Sequence, residues 1–88
     1  MFQLYITPTF ERKIKTFQKK HPELKEEIEN KLNLLIINPF NPQLRTHKLS
    51  GKLRSEWVLS LTYEYRILFF IKGNKIFLTN IGSHDEIY

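Results

Sequence analysis

Nearly all the side chains that could carry chemistry lie in the stretch HKLSGKLRSEWVLSLTYEYRILFFIKGNKIFLTNIGSHDEIY, from His47 to Tyr88. His47 and His84 can take or give a proton near neutral pH, and Arg66 is a permanently charged, bidentate partner for an anion. Glu64, the basic residues Lys48, Lys52 and Arg54, and the aromatic Tyr88 complete the set. Each also has a bland reading. His47 can be a loop histidine bonded to backbone, His84 a solvent-exposed histidine, and Arg66 a surface arginine on a strand. Tyr88 can be an apolar anchor for the tail, and Lys52 and Arg54 solvated charges. The elements that position these groups separate the readings.

Trp57, Leu59 and Leu61 alternate with Val58, Ser60 and Thr62, which predicts a strand with one apolar and one mixed face. Next, Tyr65, Ile67, Phe69 and Ile71 form an unbroken apolar face, so Arg66, Leu68, Phe70 and Lys72 point the other way. Gly73-Asn74 predicts a two-residue hairpin with glycine first. That turn sets Lys72 opposite Lys75, Phe70 opposite Phe77 and Arg66 opposite Ile81. Arg66 then stands beside the strand end that runs into Gly82, Ser83 and His84. The turn before Tyr65 must be odd in length for Ser60 and Arg66 to share a face.

The first half reads as scaffold. Phe2 to Thr7 alternate as a short strand that Pro8 ends. Thr9 caps a helix with Phe10, Ile14 and Phe17 at helical spacing, ending near Lys20. Pro22, followed by Glu23, Glu26 and Glu27, opens a second helix at the positive end of its dipole. Its stripe of Leu24, Ile28, Leu32, Leu35 and Ile36 stops at Asn38-Pro39. From Asn38 to Ser55 come prolines, a glycine and basic residues with no acid, a pattern of a basic connecting loop. His21, at a helix start, reads as a cap or surface residue.

The 88 residues make one domain, residues 1–88. Seven Phe, four Tyr and one Trp in a chain that is 41% hydrophobic argue for a packed interior and against disorder. The chain contains no cysteine, which excludes disulfides and thiolate metal sites and fits a reducing compartment. Its first residues lack a charged n-region and are broken by Gln3, Thr7 and Pro8, so neither a signal peptide nor a membrane span is expected. The expected location is the cytoplasm. A net charge of +5 points weakly to an anionic partner such as nucleic acid or an acidic protein.

The expected fold class is therefore α+β: a strand, a helical hairpin, then a three-stranded antiparallel meander, with the helices on one sheet face. The second face carries Leu68, Phe70, Phe77 and Ile81 besides Arg66. Such an apolar patch marks a partner surface, unless the segment 38–55 folds over it.

Across its whole length the chain resembles the RelE/ParE superfamily of bacterial toxins from toxin–antitoxin pairs, nearest to the YoeB and YafQ branches of mRNA interferases. The motifs that carry the resemblance are His47-Lys48-Leu49-Ser50-Gly51, Trp57, Glu64-Tyr65-Arg66-Ile67-Leu68-Phe69, and Ile81-Gly82-Ser83-His84-Asp85-Glu86-Ile87-Tyr88. Each is weak alone; the order and spacing make the set specific.

The resemblance implies metal-independent cleavage of mRNA on the ribosome, without cofactor, by attack of a ribose 2′-OH on the adjacent phosphorus. Such chemistry needs a base, fixed positive charge and an acid. By position, His47 would be the base, Arg66 the phosphate clamp and His84 the acid. Tyr88 would stack on or orient a nucleotide, Glu64 would assist, and Lys48, Lys52 and Arg54 would bind RNA backbone. Ser60 stands where YafQ has a second histidine, which leaves less proton-transfer equipment. The implied protein partner is a cognate antitoxin, acidic and partly disordered, whose tail would suit the open sheet face and its basic rim of Lys52, Arg54, Arg66 and Lys72. Two alternatives stay open: a ParE-like toxin that inhibits gyrase, and a catalytically decayed module that only binds an antitoxin.

Overall fold

The structure, a computed structural model, describes residues 1–49 and 56–88. Along the chain lie β1 (Gln3–Ile6), α1 (Pro8–Lys20), a 3-10 turn (Pro22–Leu24), α2 (Lys25–Ile37) and a second 3-10 turn (Pro42–Leu44). They are followed by β2 (His47–Lys48), β3 (Trp57–Ser60), β4 (Tyr65–Lys72), β5 (Lys75–Ser83) and α3 (His84–Ile87). The strands form one five-stranded sheet in the order β1-β5-β4-β3-β2. The expected meander is its β3-β4-β5 portion. β1 adds to it by pairing parallel with β5, from Gln3 opposite Lys75 to Ile6 opposite Leu78.

Thr7, not Thr9, caps α1. Its hydroxyl oxygen accepts from the Phe10 N–H at 3.3 Å and its O–H donates to the Leu78 carbonyl at 2.7 Å. Pro8 opens the helix at a position whose N–H would be unsatisfied in any case. Pro22 likewise starts a 3-10 turn, and α2 itself begins only at Lys25. The first chain link after β1 is thus bonded to the sheet and to the helix at once.

The core lies between the helical hairpin and one sheet face. Phe10 and Phe17 of α1 and Ile28 and Leu35 of α2 are buried against Leu59, Leu61, Ile67, Phe69, Ile76, Leu78 and Ile81. α2 is tied to the sheet edge by the Phe2 N–H, which donates to the Ile36 carbonyl at 2.8 Å. Leu59 stands opposite Ile67 and Ser60 opposite Arg66, so the β3–β4 turn has the odd length expected. Gly73 takes φ +62°, the left-handed conformation its hairpin position demands.

Beyond Phe70 opposite Phe77 the expected register fails. Phe69 faces Leu78, but Leu68 faces Asn80, and Thr79 is the extra residue of a β-bulge. Everything past it shifts by one: Arg66 pairs with Gly82, not Ile81. Ile81 is thereby turned into the core. The second face is also less open than expected, because Val58 is fully buried and Leu68 nearly so. What remains there is an aromatic stack in which Phe70 and Phe77 lie 4.7 Å apart and Tyr5 lies 5.2 Å from Phe77.

The segment 38–55 is more than a loop. Pro42–Leu44 forms a 3-10 turn that buries Leu44, and His47–Lys48 is an edge strand antiparallel to β3. Residues 50–55, which include Lys52 and Arg54, lie outside the described residues. The tail expected after β5 is one helical turn, α3.

Trp57 is on the core side but only partly buried, with its ring edge-on to Phe40 at 5.0 Å and the Lys48 ammonium 5.5 Å from its centroid. Phe69→Ala is expected to cost about 3–5 kcal/mol through lost transfer energy and a cavity. Trp57→Ala should cost clearly less. Urea unfolding of the two variants measures this, and equal losses would place Trp57 in the core proper.

Candidate functional site

The tail is fastened before its functional groups appear. The His84 N–H donates to the Glu64 carbonyl at 2.9 Å, joining the start of α3 to the β3–β4 turn. Ser83 then caps α3 in a reciprocal box: its hydroxyl accepts from the Glu86 N–H at 3.2 Å, and the Glu86 carboxylate accepts from the Ser83 N–H at 2.7 Å. A Cβ at position 82 would lie 3.0 Å from the Glu86 carboxylate oxygen, so glycine there is what lets Glu86 fold back. The Ser83 N–H, then its hydroxyl, hold the Glu86 carboxyl below the ordinary range. Partial burial opposes this, and Lys13 and Lys20 of α1 add to it.

From this anchored turn His84 and Tyr88 point into one cluster with His47. The His84 and Tyr88 rings are 4.6 Å apart, and the Tyr88 ring lies nearly parallel to His47 at 5.9 Å. Tyr88 also makes a direct hydrogen bond from its hydroxyl to His47 Nε2. On its other side, His47 Nδ1 lies 3.1 Å from the Arg45 carbonyl. A carbonyl can only accept, so in the neutral ring Nδ1 carries the proton and Nε2 presents its lone pair. His47 pairs with Val58 and so stands on the sheet face opposite the helices. The tail, seated against β5 and β4, therefore brings Tyr88 to β2 on that face.

Arg66 is on the same face, paired with Ser60 on one side and Gly82 on the other. Two strand spacings and two residues along place its Cα about 12 Å from that of His47. Its guanidinium, however, turns toward the β3–β4 turn. Nη1 donates to the carbonyls of Thr62 (2.9 Å), Tyr63 (3.0 Å) and Tyr65 (3.1 Å). Arg66 thus meets the end of β5 through its backbone and the turn through its side chain. Glu64 joins the cluster through its carbonyl; its side chain is exposed. Lys48 is exposed beside Trp57.

Two arrangements escaped the sequence reading. The capping box had a signature, Ser83-x-x-Glu86, that was legible but not used. The second arrangement is aromatic: His21 Nε2 meets the Tyr65 hydroxyl at 3.1 Å, with both rings against Phe17 at 4.8 and 5.0 Å. His21 is a helix-boundary residue as expected, but packed. Partial burial, then Glu64, Glu23 and Glu86, push the Tyr65 phenol above its ordinary value.

A five-stranded sheet backed by a helical hairpin, with a short helical tail whose last residue reaches the edge strand, defines a class shared with bacterial toxins. A crystal structure of YafQ from E. coli strain BL21(DE3) superposes with a TM-score of 0.82 at 14% identity, covering 100% of this chain and 99% of that one. The E. coli DinJ-YafQ toxin-antitoxin complex matches at 0.78 and 14%, over 99% of this chain and 97% of that chain. The YoeB-YefM complex from Staphylococcus aureus matches at 0.73 and 20%, over 96% and 98%. No individually curated protein sequence matches. At such identities the likeness is one of fold. The family follows from the sequence model of the YafQ toxins of type II toxin–antitoxin systems, which matches residues 2–88. The chain belongs to that family. Among the described residues, no helix is long and apolar enough to cross a membrane.

The cap makes the tail acid-sensitive. A carboxyl with a folded pKa below its unfolded one contributes stability above the unfolded value and loses it as pH falls through the folded one. Tyr88 ring resonances followed by NMR from about pH 6 to about pH 3 should move toward those of a free tail. Glu86→Gln should lack this acid transition, and Ser83→Ala should loosen the tail at every pH, at a cost of about 1 kcal/mol. An unchanged titration in Glu86→Gln would remove Glu86 from the latch.

Proposed function

We propose that this toxin is a ribosome-dependent, metal-independent mRNA endoribonuclease. The observation that supports the reading best is a single tyrosine touching two histidines drawn from distant parts of the chain: Tyr88 bonded to His47 Nε2, with its ring against His84. General acid–base catalysis needs two such proton carriers on one substrate. RNA supplies the ligand that fits between them.

In this mechanism His47 takes the proton of the ribose 2′-OH at Nε2, the lone pair that the Arg45 carbonyl leaves exposed by holding Nδ1–H. The 2′-oxygen attacks phosphorus, the bond to the 5′-oxygen breaks, and His84 gives that oxygen its proton. The products are a 2′,3′-cyclic phosphate and a 5′-hydroxyl. Arg66 balances charge on the non-bridging oxygens. With Nη1 taken by the turn, its Nε and Nη2 N–H groups serve the phosphate. Tyr88, displaced from His47, orients the nucleotide, and Glu64 and Lys48 flank the site. Lys52 and Arg54 are proposed to hold RNA backbone. Ser60, paired with Arg66, cannot move a proton near neutral pH, so the two histidines carry both transfers.

The proposed protein partner is a cognate antitoxin, acidic and partly disordered, by analogy with DinJ bound to YafQ. The proposed location is the cytoplasm.

His84→Ala and Arg66→Ala are each expected to lower cleavage of ribosome-bound mRNA at least about 100-fold, with unchanged circular dichroism. Toe-printing of translated mRNA measures it. Cleavage at wild-type rate in both variants would remove the site. No cleavage by the wild type, but inhibition of gyrase, would select the ParE-like alternative, and neither activity would leave a module that only binds its partner.

A further inference from the structure

Beside the cluster lies a cleft of about 490 Å³ that shares Arg66 with the proposed site and whose other walls have no role there. Its walls include Lys31 from α2, Arg45, and Ser60, Tyr63 and Arg66 from the β3–β4 hairpin. Lys31 is already committed, with Glu27 at 3.5 Å and the Gln43 carbonyl at 3.3 Å. Arg45 makes no ion pair among the described residues. The cleft therefore presents two arginines from different segments.

Arg45 is singular in its backbone. It takes φ +52°, the only left-handed non-glycine residue among those described. That conformation disfavours side chains with a Cβ and is the natural place of glycine or asparagine. An arginine there does two things: its carbonyl holds His47 Nδ1, and it puts a permanently charged residue in the cleft wall. Glycine would supply the first without strain but not the second. Tyr63, at the tip of the opposite wall, is 97% exposed, and its own carbonyl accepts from Arg66 Nη1. A phosphate held by Arg66 thus lies within one nucleotide of an aromatic face open to stacking.

We propose that this cleft is a nucleotide subsite, in which Arg45 pairs with the phosphate next to the one on Arg66 and Tyr63 stacks on the base between them. For its substrate class this rests on the nuclease reading. Two arginines suit successive phosphates of one strand because each forks two N–H groups onto an oxyanion. Stacking on tyrosine tolerates any base, so the subsite adds affinity and register more than sequence preference. Lys31 and Glu27, paired to each other, wall the cleft without adding net charge.

The test compares Arg45→Gly, Tyr63→Ala and Tyr63→Phe with the wild type in two assays. One is single-turnover cleavage on mRNA-programmed ribosomes as a function of toxin concentration. The other is fluorescence anisotropy of a short, fully 2′-O-methylated RNA with free toxin. Arg45→Gly keeps the carbonyl on His47, so it is expected to melt no lower than the wild type. It should raise the half-saturating concentration about tenfold, a larger effect than any on the saturated cleavage rate, and lower the salt slope of RNA binding by about one. Tyr63→Ala should weaken binding at least about fivefold, and Tyr63→Phe should restore it.

Wild-type half-saturation and salt slope in Arg45→Gly would overturn the subsite and leave the nuclease reading standing. So would a loss confined to the saturated rate, which would assign Arg45 to His47 alone. RNA binding that depends on Arg45 in a wild type that does not cleave would keep the subsite and discard the nuclease. Neither cleavage nor binding by the wild type would discard both.

Discussion

The arrangement of this molecule turns on one extra residue in β5. With Thr79 inserted between the Phe69–Leu78 and Leu68–Asn80 pairs, the strand's alternation changes phase. Ile76 and Leu78 face the core before the bulge and Ile81 faces it after, a spacing that an unbroken period of two cannot produce. Without the bulge, Ile81 would be on the free face and its neighbours would turn inward. With it, Gly82 comes opposite Arg66 and Ser83 opposite Tyr65, so the strand ends where Ser83 can cap a helical turn aimed across the sheet. The Thr79 hydroxyl, on the free face by the same alternation as Phe77, donates to the buried Glu56 carboxylate at 2.6 Å. The bulge thus serves the core and the tail together.

The site is held by forces of different kinds. His47 rides on a two-residue edge strand whose place is set by backbone pairing to Val58 and by the Arg45 carbonyl. Arg66 sits on the central strand, whose opposite face is core, and its side chain is bonded to three carbonyls in and beside the β3–β4 turn. His84 and Tyr88 depend on a single turn of helix, too short to be stable by propagation, so its cap and the Glu64 carbonyl do what length cannot. Scaffold and site therefore differ in resistance to change. Damage to the core unfolds everything, whereas damage to Ser83, Glu86 or Gly82 frees the tail and leaves the sheet.

Much of the fold was legible because burial imposes period. The two amphipathic helices, the meander, the glycine-first hairpin and the odd β3–β4 turn all follow from alternation, caps and turn chemistry. The bulge was not legible, since Thr79 and Asn80 carry no glycine or proline to mark it, and Arg66 was accordingly placed one residue off. β1 and β2 reveal their positions only through pairing across the chain, which no local pattern encodes. The meeting of His47, His84 and Tyr88 was expected from family resemblance, not from periodicity, because three distant segments must be assembled before those rings touch. Arg45 escaped notice for a related reason. A basic residue in a basic loop says nothing until its left-handed backbone is seen.

On the proposed roles, the resting site is occupied by its own tail. Tyr88 donates to the lone pair that His47 needs for the 2′-hydroxyl, so RNA can engage the base only when that hydrogen bond is given up. Both rings are exposed, and an exposed, water-exchangeable hydrogen bond is worth about 1 kcal/mol net. A single phosphate contact with arginine can offset that cost. Displacement is therefore easy for a ligand that reaches Arg66 as well, and unrewarded for one that meets His47 alone. Tyr88 in this view keeps His47 in the correct tautomer and orientation until a substrate long enough to span both groups replaces it. The tail's stability then has an upper bound as well as a lower one. It must be firm enough to hold His84 over the leaving oxygen, which the Ser83–Glu86 cap provides at its base, and loose enough at its tip for Tyr88 to move.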